Sequence, residues 1–411
     1  MTLRRVAVTG QGIVSPLGND PAAFFAALMA GQSGIRRLQA DFVDQLDCRI
    51  AAQADFDPLQ HYTRHQASSL DRVTQFALFA TRQSIASAGI DMAGLDLART
   101  GICLGTGMAG AGSLDDAYAR LYRDNASRLK PFTVLMAMNS AAASQIALEH
   151  KLRGPNLTYS TACSSSAVAI GEAFRLIRHG YADTMLAGGS EALLTYGTIR
   201  AWEALRTLAK EDESDPSASC KPFSANRSGL VLGEGAAIVV LEDWDRAQAR
   251  GANILAELVA YGSGNDGAHI TQPSVDGQAA AMRAALADGA LAPEAIGYVN
   301  AHGTGTVLND RTETEAIKQV FGTRAYQIPV SSTKSMHGHL MGAAGAVEFV
   351  ACLQALAKQA LPPTRNLTTP DPECDLDYVA NTGRQVSGLE YVMSNSFAFG
   401  GTSAVLVARR T

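Results

Sequence analysis

The chain has 411 residues, of which 47% are hydrophobic and 18% are charged. This balance is typical of a globular protein with a large core. The formal net charge of −5 argues against a nucleic-acid-binding protein, because such proteins usually carry a basic surface. No uninterrupted apolar run approaches the ~20 residues of a membrane-spanning helix, so we expect no membrane span.

Strand-like and helix-like segments alternate along the chain without a low-complexity linker between them. This alternation predicts an α/β architecture in which helices pack on sheets. The polar stretch 210–219 is predicted to be a surface loop. In chain order, we expect strands at 6–14, 101–105, 183–187, 236–241 and 404–407, and helices at 24–30, 73–88 and 343–357.

Cys163 lies at the end of a short β-prone run, just before an apolar-periodic stretch at 167–177. The sequence therefore predicts a strand-to-helix turn with the thiol near the start of the helix. The positive end of a helix dipole favours a thiolate, and it can lower a cysteine pKa from about 8.5 into the neutral range. A buried cysteine that acts only as a small hydrophobic residue fits this local pattern equally well.

Two histidine motifs further along the chain favour catalysis. His302 begins a Gly/Thr-rich loop directly after the strand-like run 296–299. His337 and His339 follow the strand-like run 328–330. One cysteine and two histidines at the ends of strands are the expected components of an activated nucleophile.

Residues 105–110 match the dinucleotide-binding pattern G-x-G-x-x-G and follow an apolar strand. A dinucleotide site would also need a second strand that ends in Asp or Glu about 20 residues further on. Here the following stretch, 115–130, is polar. We therefore interpret these glycines as a turn that allows close packing.

The six cysteines include no C-x-x-C pair, and their spacing matches no zinc site. The N-terminus passes directly into a strand-like run, without the apolar stretch and cleavage signal of a secretory peptide. We therefore expect a reducing, cytoplasmic location and no metal site.

Four motifs resemble those of a known family, and they occur in the same order. They are 161–164 (TACS), 300–306 (NAHGTGT), 332–339 (STKSMHGH) and 394–402 (SNSFAFGGT). The chain resembles the elongating β-ketoacyl-[acyl-carrier-protein] synthases, which use a Cys-His-His triad. The resemblance extends from Arg5 to Arg409. The resemblance implies a thiolase-like α/β fold of two similar halves, layered α-β-α-β-α. Residues 1–250 would carry the nucleophile and residues 251–411 the two histidines, and a faint internal repeat agrees with this division.

The resemblance implies a decarboxylative Claisen condensation in fatty acid biosynthesis. An acyl group on Cys163 would react with malonyl on acyl carrier protein to give a 3-oxoacyl product. The alternative is a specialised ketosynthase of polyketide, polyene or nodulation-type lipid synthesis, with or without a chain-length-factor partner. Neither needs a cofactor of its own, because the phosphopantetheine of the carrier holds the substrates. The family further implies a homodimer, or a heterodimer with a related subunit.

Three other functions, two of them found in relatives of the same fold, fit the sequence less well. A thiolase would use a second cysteine near the C-terminal glycines, and 396–401 has none. A non-catalytic chain-length partner would lack the nucleophile, so Cys163 argues against it. A module that only binds a ligand would not need three converging catalytic residues.

The resemblance also assigns roles to individual residues. The catalytic residues are Cys163, His302 and His339, and the two histidines act as neutral imidazoles that stabilise an enolate oxygen. His337 receives no catalytic role, because the family's histidine follows the glycine of the motif. Lys334 and Glu348 are expected to support the active site, and Phe399 to form a gate. The backbone N–H groups of Cys163 and Phe399 would form the oxyanion hole. Thr304 and Thr306 would contact the pantetheine arm, and Met108 would line the acyl pocket.

Two departures from the commonest family pattern lie beside the gate. Ala398 replaces a frequent glycine and Ser403 a frequent asparagine. Alanine restricts φ more than glycine does, so we expect altered gate mobility or chain-length choice.

Carrier proteins are acidic, so the entrance is expected to carry basic residues in spite of the negative net charge. The candidates are Arg64, Arg72 and Arg206, which flank segments that the family places near the entrance. The stretch 66–70 lacks the further basic residues that are frequent in housekeeping members. That depletion favours a dedicated carrier protein.

Overall fold

The structure is a computed structural model that describes residues 3–411, and helices and strands alternate throughout this range. The strands are β1 (Val6–Val14), β2 (Ile35–Arg37), β3 (Ile50–Ala52), β4 (Thr100–Gly105), β5 (Asn156–Tyr159), β6 (Thr184–Glu191), β7 (Gly235–Asp243), β8 (Ala256–Asn265), β9 (Ile296–Asn300), β10 (Val330–Ser331), β11 (Ala360–Leu361), β12 (Arg384–Gln385), β13 (Tyr391–Phe397) and β14 (Thr402–Arg409). The helices are α1 (Pro21–Met29), α2 (Arg64–Ser69), α3 (Arg72–Ala88), α4 (Ala111–Tyr122), α5 (Thr133–Ala137), α6 (Ala141–His150), α7 (Ser165–Arg178), α8 (Tyr196–Leu205), α9 (Trp244–Ala249), α10 (Val275–Asp288), α11 (Val307–Phe321), α12 (Lys334–His337) and α13 (Ala344–Lys358).

The predicted segments form the expected elements, with ends that differ by a few residues. The exception is the run 328–330, of which only Val330 joins a strand, the two-residue β10. Pro329 has no N–H to give to a sheet, which limits this strand to a short edge. The polar stretch 210–219 is a loop, as predicted. It contains one short 3₁₀ turn at Pro216–Ala218.

Ten strands form one continuous sheet in the order β10-β9-β13-β14-β8-β1-β7-β6-β4-β5. Its two middle strands, β1 and β8, pair over only three residues of each. On each side of this narrow contact the order and direction of strands are the same: two antiparallel neighbours followed by two parallel ones. The faint repeat in the sequence therefore corresponds to two structural halves. The exact division at residue 250 stays a prediction.

Helices complete the predicted α-β-α-β-α layering. Helices α7 and α13 lie between the two halves of the sheet, where they contact each other and strands of both halves. Helices α3 and α6 cover the outer face of the first half, and α10 and α11 cover that of the second. The central strands are buried on both faces. In β7, for example, Ile238 and Val240 face the outer core, whereas Val239 and Leu241 face the central one.

The stretch Met341–Lys358, which contains α13, is long and apolar enough by composition to cross a membrane, with a mean hydropathy of 1.2. In this structure 89% of it is buried inside the protein. Its apolar character is therefore that of a core helix, which packs against α7 and the sheet.

Candidate active site

Cys163 lies in a single 3₁₀ turn, Ala162–Ser164, between β5 and α7. Ala162 adopts a left-handed φ of 52°, a conformation that a non-glycine residue keeps only where its surroundings impose it. The hydroxyl of Ser165 accepts the N–H of Thr161 at 2.9 Å and donates to the carbonyl of Ala162 at 2.6 Å. These contacts hold the predicted strand-to-helix turn, and Cys163 is buried in it.

The structure brings together the three residues that the sequence singled out. The sulfur of Cys163 and a ring nitrogen of each of His302 and His339 all lie within 4.8 Å of one another. The two imidazole rings meet nearly at right angles, with their centroids 5.4 Å apart. All three side chains are buried, so their mutual interactions are little screened by water.

Hydrogen bonds fix where each imidazole carries its proton. Nδ1 of His339 accepts the N–H of Met341 at 3.2 Å. Nδ1 of His302 lies 3.4 Å from Nζ of Lys334, which can only donate. Each neutral ring therefore holds its proton on Nε2. Nε2 of His339 has no hydrogen-bond partner among residues 3–411, so this donor is available to a substrate.

Burial lowers the pKa of His302 and His339 well below the ordinary value of 6.5, and the positive charge of Lys334 lowers it further. Both imidazoles are therefore neutral at physiological pH. This is the protonation state that the predicted role requires.

One cysteine and two histidine side chains at this distance could bind a metal ion, but the groups around them do not suit a metal site. A metal-bound histidine normally donates its other ring N–H to a carbonyl or a carboxylate. Here the other ring nitrogen of each histidine faces a donor instead, namely Met341 or Lys334. The ammonium group of Lys334 would in addition repel a cation.

Lys334 and Glu348 form a fully buried ion pair beside His302. The ammonium group donates to the carboxylate of Glu348 and to the backbone carbonyl of His302, the latter at 2.7 Å, besides its contact with the ring. All three of its protons are thus used, and His302 is held at both its backbone and its ring. These contacts agree with the predicted supporting role.

His337 is fully buried, and the protein itself occupies both of its ring nitrogens. Nδ1 donates to the carbonyl of Gly338 at 2.8 Å, and Nε2 accepts from the hydroxyl of Thr333 at 2.8 Å. Burial lowers its pKa to about 3. His337 therefore has no free nitrogen for a substrate, in line with the assignment of catalysis to His339.

Two buried acids of α11 that the sequence analysis did not single out hold the His302 loop. The carboxylate of Glu313 accepts the N–H groups of His302 and Gly303, each at 2.8 Å, and Asp310 accepts that of Gly305 at 3.2 Å. Burial raises the pKa of Glu313 to about 7 and that of Asp310 to about 6. Their spacing of three residues, on a helix that follows a glycine-rich loop, is the signal that could have revealed them.

A third buried acid, Glu191, links the two halves of the fold at the site. Its carboxylate accepts the N–H groups of Gly107 and Met108 from the first half and that of Gly342 from the second. A Cβ on Gly342 would lie 2.3 Å from the backbone nitrogen of Gly107, so only glycine fits there. The loop of the G-x-G-x-x-G pattern therefore binds an internal carboxylate, in agreement with its interpretation as a packing turn.

Phe399 lies in the turn between β13 and β14, and its ring stacks on Trp202 with the centroids 6.1 Å apart. Its backbone N–H and that of Cys163 both favour the thiolate form of Cys163, which agrees with the expected oxyanion hole. Gly400 and Gly401 have left-handed φ angles of 82° and 80°, whereas Ala398 does not have a positive φ. Alanine therefore fits at 398 without backbone strain.

A cavity of about 320 Å³ extends from exposed residues such as Arg206 to Cys163. Thr304 and Thr306, the expected pantetheine contacts, line it, and their hydroxyl oxygens are 2.9 Å apart. Met108 does not line this cavity, and its side chain is half exposed. Its assignment to an acyl pocket has no support within the single chain and stays a prediction.

The three arginines proposed for carrier docking differ in their surroundings. Arg206 is exposed at the end of α8 and lines the cavity. Arg64 is exposed at the start of α2, away from the cavity lining. Arg72 is bound to the buried carboxylate of Glu234 through two hydrogen bonds of 2.9 and 2.7 Å. This ion pair compensates the charge of Arg72, so Arg206 is the better candidate for docking.

Burial raises the pKa of the Cys163 thiol to about 12, although Lys334 and the N–H of Phe399 oppose the rise. The loss of water around the sulfur therefore works against the thiolate that the helix end favours. We expect the Cys163 thiol to lose its proton as it attacks the substrate.

This pKa makes a direct prediction for chemical labelling. We expect the alkylation of Cys163 by iodoacetamide to accelerate about tenfold per pH unit from pH 7 to 9, because the thiolate fraction rises in that proportion below the pKa. Intact-mass spectrometry measures the rate, and the Cys163→Ala variant gives the background from the other five cysteines. A rate that levels off near pH 7 would show that the thiol ionises at neutral pH.

Family models match most of the chain, and curated relatives match nearly all of it. The model described as Beta-ketoacyl synthase, N-terminal domain, matches residues 3–247, and that of the C-terminal domain matches residues 255–368. Nodulation protein E of Rhizobium meliloti is 43% identical over 407 residues, which cover 99% of each chain. The 3-oxoacyl-[acyl-carrier-protein] synthase 2 of Synechocystis sp. is 41% identical and covers 99% of this chain and 98% of its own.

Solved structures of ketosynthases resemble this fold over nearly its whole length. A complex of a type II PKS acyl-carrier protein with its ketosynthase, bound to the hexaketide, contains a chain that superposes with a TM-score of 0.92 at 33% identity, with full coverage of both chains. A β-ketoacyl synthase from Burkholderia phymatum STM815 gives a TM-score of 0.91 at 36% identity, and covers 99% of this chain and all of its own. Together with the Cys-His-His geometry, these matches show that the chain belongs to the β-ketoacyl synthase family.

Proposed function

We propose that this protein is a 3-oxoacyl-[acyl-carrier-protein] synthase, an acyltransferase that condenses an acyl group with malonyl by decarboxylative Claisen chemistry. The observation that carries the proposal is the triad in the cavity: a thiol within 4.8 Å of two histidine ring nitrogens. Covalent capture of an acyl group needs the thiol, and an enolate oxygen needs aimed neutral donors.

In the first half-reaction, the sulfur of Cys163 attacks the carbonyl carbon of an acyl thioester. The N–H groups of Cys163 and Phe399 stabilise the oxyanion that forms. The new C–S bond replaces the old one, and the departing pantetheine thiolate takes the proton that the Cys163 thiol gives up. Because Nε2 of His302 and of His339 already holds a proton, neither serves as the base there.

In the second half-reaction, malonyl thioester loses CO2 and the electrons of the broken C–C bond form an enolate. Nε2–H of His302 and of His339 donate to the enolate oxygen. The enolate carbon then attacks the acyl carbonyl on Cys163, so that a C–C bond forms and the C–S bond breaks. The released thiolate takes up one proton, and a 3-oxoacyl thioester leaves.

The main candidate pathway is fatty acid biosynthesis, in line with relatives named 3-oxoacyl-[acyl-carrier-protein] synthase 2. The second candidate is a specialised ketosynthase of polyketide, polyene or nodulation-type lipid synthesis. The 43% identity to Nodulation protein E over 99% of both chains favours it, as does the lack of basic residues at 66–70.

The proposal is tested by incubating the purified protein with two carrier proteins. One acyl carrier protein is loaded with an acyl group and the other with malonyl. We expect the intact mass of the malonyl carrier to change to that of the 3-oxoacyl carrier, with release of CO2. A panel of general and dedicated carriers, charged with chains of different length, separates the two pathways. Absence of a 3-oxoacyl product with every carrier would refute the function.

Acyl carrier protein is the proposed partner, and Arg206 at the cavity entrance is the residue best placed to meet it. We expect charge reversal of Arg64 and Arg206 together to raise the KM for the carrier several-fold and to leave turnover of a small pantetheine thioester nearly unchanged. Exposed complementary charges mainly steer encounter, so the carrier KM should also rise with salt. Equal loss on both substrates would remove the docking assignment.

A dimer is the proposed assembly, either of two copies or of this chain with a related subunit. Strand β5 is an edge of the large sheet, and its free side can pair with another strand. Large apolar side chains are exposed on β5 and in the segment that precedes it, namely Tyr118, Tyr122, Phe132, Val134, Leu135, Met138 and Leu157. Such a patch is typical of a protein interface. Light scattering on the purified protein distinguishes a dimer from a monomer.

The cytoplasm is the proposed location. All six cysteines are free in the structure, and five of them are buried. Free thiols in this number fit a reducing compartment. Fractionation of cells that express a tagged chain tests this point.

A further inference from the structure

Gln278 lies near the start of α10 and lines the same cavity as the triad. The residue as a whole is only 3% exposed. Its carbonyl oxygen Oε1 has no hydrogen-bond partner among residues 3–411. A buried acceptor without a donor is unfavourable, so such an atom in the wall of a binding cavity is a candidate contact for a ligand.

The neighbouring residues fix which end of the Gln278 amide is left free. The side-chain nitrogen of Asn309 donates to carboxylate oxygens of Asp310 and Glu313, at 3.3 and 3.5 Å. Carboxylate oxygens only accept, so the amide nitrogen of Asn309 must point towards them. Its amide oxygen, Oδ1, therefore points towards Gln278. There it accepts Nε2 of Gln278 at 3.4 Å. A flipped Gln278 amide would set two carbonyl oxygens against each other.

Asn309 connects Gln278, which carries the free acceptor, to Thr306, one of the expected pantetheine contacts. The backbone N–H of Asn309 donates to the hydroxyl of Thr306, while its side chain orients Gln278. Gln278 is uncharged, so it can satisfy a neutral donor without burying a charge. The pantetheine arm carries two such donors, the N–H groups of its secondary amides.

We propose that Oε1 of Gln278 accepts an amide N–H of the pantetheine arm and so helps the enzyme to select amide-bearing thioesters. The inference rests on the proposed function, because it requires that pantetheine enters this cavity. It adds a specificity-determining residue on α10 whose free atom can only accept, whereas the hydroxyl groups of Thr304 and Thr306 can also donate.

The test replaces the donor on the substrate and the acceptor on the enzyme. The substrates are an acyl pantetheine and two analogues, each with one amide changed to an ester and therefore without that N–H. For the wild type, we expect kcat/KM of Cys163 acylation to fall about tenfold for one of the analogues, the effect of one lost hydrogen bond. Gln278→Met, similar in size but without the acceptor, should lose about tenfold on the amide substrate and nothing further on that analogue.

Thr304→Val serves as the matched control, because it removes a contact on the same arm but not the Gln278 acceptor. It should weaken all three substrates and keep the tenfold ratio between amide and ester. The inference is overturned if the wild type acylates both ester analogues as fast as the amide, or if Gln278→Met still discriminates. The wild-type comparison decides even if the variant fails to fold. Absence of any acyl group on Cys163 with the amide substrate would instead refute the proposed function.

Discussion

Replacing Cys163 with alanine is expected to abolish condensation and to leave the fold intact. Loss of a catalytic nucleophile lowers turnover by a factor on the order of 10⁶. The side chain is small and buried in a turn that backbone and serine contacts hold, so removing the sulfur should not disturb the turn. Product formation from acyl and malonyl carriers measures the activity, and circular dichroism with thermal unfolding checks the fold.

A second variant at the same position separates the two half-reactions. Cys163→Gln places an amide where the acylated cysteine would lie, and we expect it to retain decarboxylation of malonyl carrier while it forms no 3-oxoacyl product. Normal condensation by the Cys163→Ala variant would end the assignment of the nucleophile.

Replacing His302 or His339 with alanine is expected to reduce decarboxylation by about 10²–10³-fold each, the usual cost of one aimed donor. Acylation of Cys163 should be less affected, because no enolate exists in that half-reaction and neither Nε2 acts as its base. Release of labelled CO2 and transfer of a labelled acyl group measure the two steps separately. Failure of acyl transfer with decarboxylation preserved would mean that the roles are wrong.

His337→Ala is the control for this experiment. Its ring nitrogens are bound to Gly338 and Thr333, so we expect a mild effect by comparison. If His337 proved essential and His339 dispensable, the assignment of the catalytic histidine within the motif would be wrong.

The fold could be predicted from the sequence because each half repeats the same alternation of buried strands and amphipathic helices. The segments at 101–107 and 297–303 resemble each other only faintly, yet β4 and β9 hold equivalent places in the sheet. The Cys163 turn and the two histidine loops were predictable for a related reason. Each follows a strand, and strand ends of the two halves meet at the cavity.

Other features depend on contacts between distant segments, which a sequence pattern does not contain. The ion pair between Arg72 and Glu234, which lies 162 residues further along the chain, is one such contact. Glu191 shows no motif, because its partners are backbone N–H groups of two distant loops.

The pKa of Cys163 could not be predicted from the sequence either. The helix that begins after Cys163 is visible in the sequence, and it favours a thiolate. The degree to which the surrounding side chains exclude water is not visible, and this desolvation raises the pKa to about 12.

The central claim is that Cys163 carries the acyl group that malonyl then removes. Peptide mass mapping after incubation with an acyl carrier protein, followed by a chase with malonyl carrier, tests it most directly. The account predicts one acyl group on the peptide that contains Cys163, and its discharge by malonyl as a 3-oxoacyl product. An acyl group on another residue, or one on Cys163 that malonyl does not discharge, would contradict it.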